Sequence, residues 1–123
     1  VTATDAELET TLKKNICVAL DTMGFRVVRI QSGRAKVRGG WMWLAKKGTP
    51  DLLVLSPYVF LEVKRPGKEL SPDQRDWHDW AKGAGVPVTT VRGVQEACRF
   101  VLGLRTEQEH RDRMGWEGRA ANE

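Results

Sequence analysis

Two short apolar segments constrain this chain more than anything else in it. Asp51 to Leu55 (DLLVL) and Val59 to Lys64 (VFLEVK) are rich in branched and aromatic residues and are too short for helices. Ser56-Pro57 between them supplies a tight turn. The pair therefore reads as two adjacent strands. An acid inside an otherwise apolar strand is costly unless something offsets its charge. Here Asp51 opens the first strand, and Glu62 and Lys64 close the second. Side chains alternate along a strand, so Glu62 and Lys64 share a face. If the strands form an antiparallel hairpin with an even loop, opposed residues have an odd index sum. Asp51 then falls on the face of Glu62 and Lys64. An odd loop would break that relation. Two carboxylates converging beside a lysine make a divalent-metal site with an amine placed to orient or deprotonate water. The plainer alternative is a strand-end salt bridge between Glu62 and Lys64, with Asp51 in a turn.

The flanking sequence gives these strands a setting. Thr4-Asp5-Ala6-Glu7 has the form of a capping box. Leu8, Leu12, Ile16, Ala19, Leu20 and Met23 follow at helical spacing, and Gly24 ends the run. Phe25 to Ile30 is β-prone, and residues 33–47 read as a hairpin turning at Gly39-Gly40. Ser71-Pro72-Asp73-Gln74 is a second strong helix start, with the helix reaching about Lys82 and stopping at Gly83 and Gly85. Val86 to Val91 is a strand and Val94 to Leu102 a last core helix. The order α, several strands, α, β, α predicts an α/β layer fold with a mixed central sheet flanked by helices. One domain over residues 1–104 is expected, with 105–123 a polar C-terminal tail or frayed helix.

Composition excludes several classes. Two cysteines, Cys17 and Cys98, cannot build a disulfide scaffold or a zinc ribbon and suit a reducing compartment; both read as buried thiols. No apolar run approaches the ~18 residues of a membrane span, and no signal peptide is evident. A cytoplasmic protein without membrane contact is the expectation. The net charge of +4 is distributed unevenly. Residues 26–47 hold Arg26, Arg29, Arg34, Lys36, Arg38, Lys46 and Lys47 and no acid, so this segment carries +7 and the remainder −3. Glycines and Trp41 and Trp43 interleave with the cations, a mixture suited to a phosphate backbone. A solvated basic hairpin with its tryptophans on the core is the alternative.

A third carboxylate lies within reach. The apolar stripe of the first helix points roughly 45° from Glu9 and roughly 155° from Glu7, at ~100° per residue. Glu9 thus sits at the edge of the inward face, where it could reach a metal on the sheet, while Glu7 is accounted for by the cap; an ordinary solvated helix glutamate is the plainer alternative for Glu9. Trp77 and Trp80, three apart on the Ser71 helix, read as core or dimer contacts. His78, four residues after Gln74 on the same helix face, could neighbour the site, but reads more simply as a partly exposed helix histidine.

Gly48-Thr49-Pro50-Asp51, ten intervening residues, then Glu62-Val63-Lys64 resembles the PD-(D/E)XK nuclease signature. The wider string K-K-G-T-P-D-L-L-V-L, then E-V-K-R-P-G-K-x-L-S-x-x-Q, then G-V-P-V closely resembles the virus-type replication-repair nuclease (VRR-NUC) branch of that superfamily. The resemblance covers about residues 7–102 and implies a PD-(D/E)XK (restriction-endonuclease-like) core, to which the basic hairpin would be an addition. It implies that Asp51, Glu62 and the Val63 carbonyl ligate Mg²⁺ or Mn²⁺, that Lys64 orients or deprotonates the attacking water, and that Glu9 is the helix carboxylate of the first motif. Gln74 matches the helix glutamine of the family, although it also fits the role of capping partner to Ser71. Arg65 and Lys68, just past the strand, would hold DNA phosphates beside Arg29, Arg34, Lys36, Arg38, Lys46 and Lys47. The implied activity is metal-dependent, structure-selective hydrolysis of DNA. Branched, Holliday-type junctions are the leading substrate, and cutting two strands would call for a homodimer. Flap or duplex-end cleavage is the near rival, and a catalytically silent DNA-binding module the rival from another class.

Overall fold

The computed structural model describes residues 3–32 and 34–121. Helix α1 spans Asp5–Thr22. The Thr4 hydroxyl accepts from the Glu7 N–H and the Glu7 carboxylate accepts from the Thr4 N–H, so the expected capping box is formed. Strands β1 (Val27–Arg29), β2 (Arg34–Val37), β3 (Gly40–Trp43), β4 (Leu52–Leu55) and β5 (Tyr58–Val63) follow. Then come α2 (Pro72–Ala84), β6 (Val88–Val91) and α3 (Val94–Ala121). The element order is the one the sequence predicts.

Four strands make the central sheet in the order β1-β4-β5-β6. The first two neighbouring pairs are antiparallel and β5–β6 is parallel, so the sheet is mixed. The parallel pair requires a crossover, and α2 provides it. The apolar alternation decides which face becomes the core. Leu52 and Val54 of β4 pair with Leu61 and Val59 of β5, and all four are buried together with Val63 and Val91. Ile16 and Leu20 of α1 and Ala97 and Val101 of α3 cover that face. The α1 stripe is buried only at its centre, since Leu8 and Met23 at its ends remain exposed. On the opposite face Phe60 meets Trp77 of α2, ring centroids 4.9 Å apart.

Four local expectations are revised. The hairpin turns at Arg38-Gly39, because Val37 pairs with Gly40 and Gly40 already belongs to β3. Only Gly39 of the two loop residues has a positive φ, which its missing Cβ permits. Helix α2 runs through Gly83 to Ala84 and is capped at Gly85 in the left-handed region. Helix α3 continues without a break from its core segment to Ala121, where the sequence suggested a tail or frayed helix from 105; residues 122 and 123 lie outside the described residues. Polar contacts one turn apart support the extension, with Gln108 donating to Asp112 at 3.0 Å and Arg111 to Gln108 at 3.2 Å. Cys17 and Cys98 are half-buried, less enclosed than expected. Among the described residues no helix is long and apolar enough to cross a membrane.

Candidate active site

The site is built by the β4–β5 hairpin. Its loop is Ser56-Pro57, an even number of residues, and the register runs from Leu55↔Tyr58 to Leu52↔Leu61. One step further brings Asp51 opposite Glu62, both out of phase with the core residues Leu52, Val54, Leu61 and Val63. The Asp51 carbonyl accepts from the Ile30 N–H at 2.8 Å, which holds its backbone in line with the sheet. Its side-chain Oδ2 accepts from the Val63 N–H at 2.9 Å across the hairpin. Lys64 extends the alternation one residue past β5, its N–H donating to the Val91 carbonyl at 3.0 Å. It follows Glu62 on the same face and is half-buried.

Glu62 is the one buried charged residue of the described core, with 1% of its surface exposed. Burial pushes its carboxyl up to about 9, helped by the hydrogen bond and negative charge of Asp51 and opposed by Lys64 and Lys13. Asp51 goes the other way. Burial acts to raise it, but its hydrogen bonds with Glu62, Lys13 and the Val63 N–H, with the Lys13 charge, bring it below the usual carboxylate range. The two carboxyls therefore behave as a unit in which Asp51 keeps the charge and Glu62 the proton.

Lys13 of α1 does not stand out in the sequence. Its Nζ lies 2.9 Å from Asp51 Oδ1. Among the described residues no three or more His, Cys, Asp or Glu side chains gather closely enough to hold a metal ion. Glu9 is accordingly not brought to the carboxylate pair. It lies one turn before Lys13 and lines a cleft of about 320 Å³ with Asp5, Lys64, Arg65 and Lys68. The docking of α1 brings the Lys13 turn within ion-pair distance of Asp51.

Gln74 closes the α2 capping box, its Oε1 accepting from the Ser71 N–H at 2.8 Å. His78 is a half-buried helix histidine and also neighbours the site. Its side chain is only 15% exposed and its Nε2 stands 3.6 Å from Glu62 Oε1. Burial pulls its imidazole down, against the pull of Asp79.

The expected phosphate-contacting cations are dispersed around this centre. Arg65 and Lys68 both pair with Asp5, Lys68 at 3.1 Å. Arg92 Nη1 fixes their turn by donating to the Arg65 and Lys68 carbonyls at 3.0 and 2.6 Å. Arg29 and Lys13 line one cleft, and Lys46 and Lys47 another with Trp77 and Trp80; Lys47 pairs with Asp73 at 3.3 Å. Trp77 is half-buried and Trp80 is 59% exposed, so Trp80 is not a core residue. In the two-stranded β2–β3 sheet, Lys36 pairs with Trp41, and Arg34 stacks 5.2 Å from the Trp41 ring. Arg38 is exposed in the turn; the Trp43 side chain lies outside the described residues.

Gly48 explains the start of the motif. It is buried with φ +93°, and a Cβ there would lie 2.3 Å from the Asp73 carbonyl oxygen in the first turn of α2. This contact seats the N-terminal end of α2 against the segment leading into Asp51.

Comparison with known proteins finds one similarity in sequence and one in structure. The family model described as VRR-NUC domain matches residues 42–95, the stretch that carries Asp51, Glu62, Lys64 and His78. A solved structure described as a VRR_NUC domain is similar to this chain with a TM-score of 0.56 and 23% identity, over 76% of this chain and 92% of that chain. At that identity the likeness speaks for the fold. No curated protein matches the chain. The resemblance read from the Gly48–Gln74 string is thus found independently by sequence model and by structure.

Proposed function

We propose that the chain is a divalent-metal-dependent endodeoxyribonuclease with a PD-(D/E)XK core, acting on branched DNA as a homodimer. One observation carries this reading: Asp51 and Glu62 oppose each other across one hairpin with Lys64 beside them, and Glu62 is buried with an oxygen that has no hydrogen-bond partner. A sealed carboxyl of this kind is stabilised by a proton or by a cation. The donor set is hard oxygen, the chemistry of Mg²⁺ or Mn²⁺. Asp51, Glu62 and the Val63 carbonyl would hold the ion, and Glu9 would face it from the adjoining cleft. Bound there, the ion would neutralise the phosphate, lower the pKa of water and stabilise charge developing in an in-line displacement.

The chain's own groups supply the rest. The Val63 N–H fixes the rotamer of Asp51. Lys64 stands where it can orient the water. Lys13, the counter-charge of Asp51, would give way as the cation enters. Gln74 holds the α2 terminus beside the site. Arg29, Lys46, Lys47, Arg65 and Lys68 would meet phosphates near the cut, and Arg34, Lys36 and Arg38 would meet the backbone further out. Among the described residues no base-reading element stands out, and the reading takes DNA shape and backbone as what is recognised. Flap and duplex-end DNA are the competing substrates. A silent DNA-binding module is the second reading, and the Lys13–Asp51 ion pair favours it, because an amine already neutralises that carboxylate.

Labelled four-way, flap and linear duplex DNA with Mg²⁺, Mn²⁺ or EDTA test the proposal. Cleavage should need the metal, favour the four-way junction and vanish in Asp51→Ala. Cutting that survives EDTA or the substitution would refute the mechanism. Binding without cutting under every condition would establish the silent module.

A further inference from the structure

Glu62 Oε1 and His78 Nε2 are the two buried side-chain polar atoms without a hydrogen-bond partner among the described residues, and they face each other at 3.6 Å. That separation is too long for a hydrogen bond and too short to admit a water between them. Leaving two buried polar atoms unpaired is costly, because each gives up water without gaining a partner. A placement of that kind survives where a small movement joins the pair.

Packing around the two groups fixes where they stand. Phe60 and Glu62 are neighbours on one face of β5, and Trp77 and His78 are neighbours on α2. The Phe60–Trp77 contact sets the height of the helix above the strand, and the Gly48–Asp73 contact sets its N-terminal end. His78 is thereby held over Glu62, with its ring 6.3 Å from that of Trp77. A shift of a few tenths of an ångström in either side chain closes the gap.

We propose that His78 is a positioning residue for Glu62, donating from Nε2–H to Oε1, so that the second carboxylate oxygen is presented to the cation. This rests on the metal-site reading above. Carboxylates that ligate metals are commonly held by such an outer hydrogen bond, and losing it weakens metal binding about tenfold to a hundredfold.

The test uses Mn²⁺ binding to the full chain, followed by calorimetry and by the electron paramagnetic resonance of the ion, with no DNA present. His78→Leu should weaken Mn²⁺ binding at least about tenfold. His78→Gln, whose amide nitrogen reaches the place of Nε2, should restore most of it. His78→Asn, whose amide falls at the place of Nδ1, should not. These two polar variants serve as well where the leucine variant folds poorly. In addition, the imidazole ¹⁵N resonances of His78 should shift on adding Mg²⁺ to the parent chain and stay fixed in Glu62→Gln. Tight Mn²⁺ binding by the parent and by all three variants alike would overturn the role of His78 alone. A parent chain that binds no Mn²⁺ would overturn the metal site and this role with it.

Discussion

At the scale of single residues, the carboxyl pair makes a definite claim about pH. Glu62 holds its proton up to about 9 in the folded chain, whereas an unfolded glutamate releases it near pH ~4.3. Below the lower value both states are protonated and the full stabilisation is present. Between the two values unfolding releases a proton, so stability falls as pH rises, by up to about 1.4 kcal/mol per pH unit. Asp51 acts in the opposite sense, adding stability above the unfolded carboxylate range that is lost in acid. Urea unfolding in EDTA from pH 5 to 9 should therefore show declining stability in the parent chain and a nearly level profile in Glu62→Gln. A level profile in the parent would mean that Glu62 is ionised when buried. Asp51 and Glu62 are legible in the sequence because an acid in an apolar strand stands out, and parity assigns them one face. Lys13 is not legible. It is an ordinary helix lysine, and only the docking of α1 on the sheet brings it to Asp51. His78 is half legible: its spacing from Gln74 puts it near the site, but helical periodicity says nothing of the depth at which α2 rides over β5.

At the scale of elements, local chemistry predicts starts better than ends. Both capping boxes are readable because a side chain and a backbone N–H three residues apart satisfy each other with no help from elsewhere. The extension of α3 is not readable, since its polar sequence suits a solvated helix as well as a loose tail, and one-turn contacts decide between them. The glycine of the Gly48-Thr49-Pro50-Asp51 motif has a reason visible only in three dimensions. Gly48→Ala must accept both a positive φ and a clash with the Asp73 carbonyl. It should destabilise the fold by roughly 1–3 kcal/mol or more, read by urea unfolding, and should loosen α2 over the site. A loss below about 0.5 kcal/mol, the range of an inconsequential surface change, would show that the segment reroutes freely.

At the scale of the whole molecule, charge and chemistry occupy different places. The excess of +7 between residues 26 and 47 sits largely on β1, β2, β3 and their connections, while Asp51 and Glu62 lie at the end of the central hairpin. Replacing Arg34, Lys36 and Arg38 by glutamine should leave the fold intact and weaken DNA binding. It should also lower the magnitude of the salt slope by up to about 3, near one unit for each phosphate that is no longer neutralised. An unchanged slope in a filter-binding or anisotropy titration would mean that the β2–β3 sheet does not touch DNA. The alternation in β5 has a further reach. Val59, Leu61 and Val63 serve one layer, and Phe60, Glu62 and, just past the strand, Lys64 serve the other. A library that varies every position of this hairpin should therefore separate into two interleaved classes. Changes at Leu52, Val54, Val59, Leu61 and Val63 would be lost at the level of expression and solubility, whereas changes at Asp51, Glu62 and Lys64 would survive as folded protein with altered chemistry. A single inserted residue in the Ser56-Pro57 loop would exchange the two sets and forfeit both.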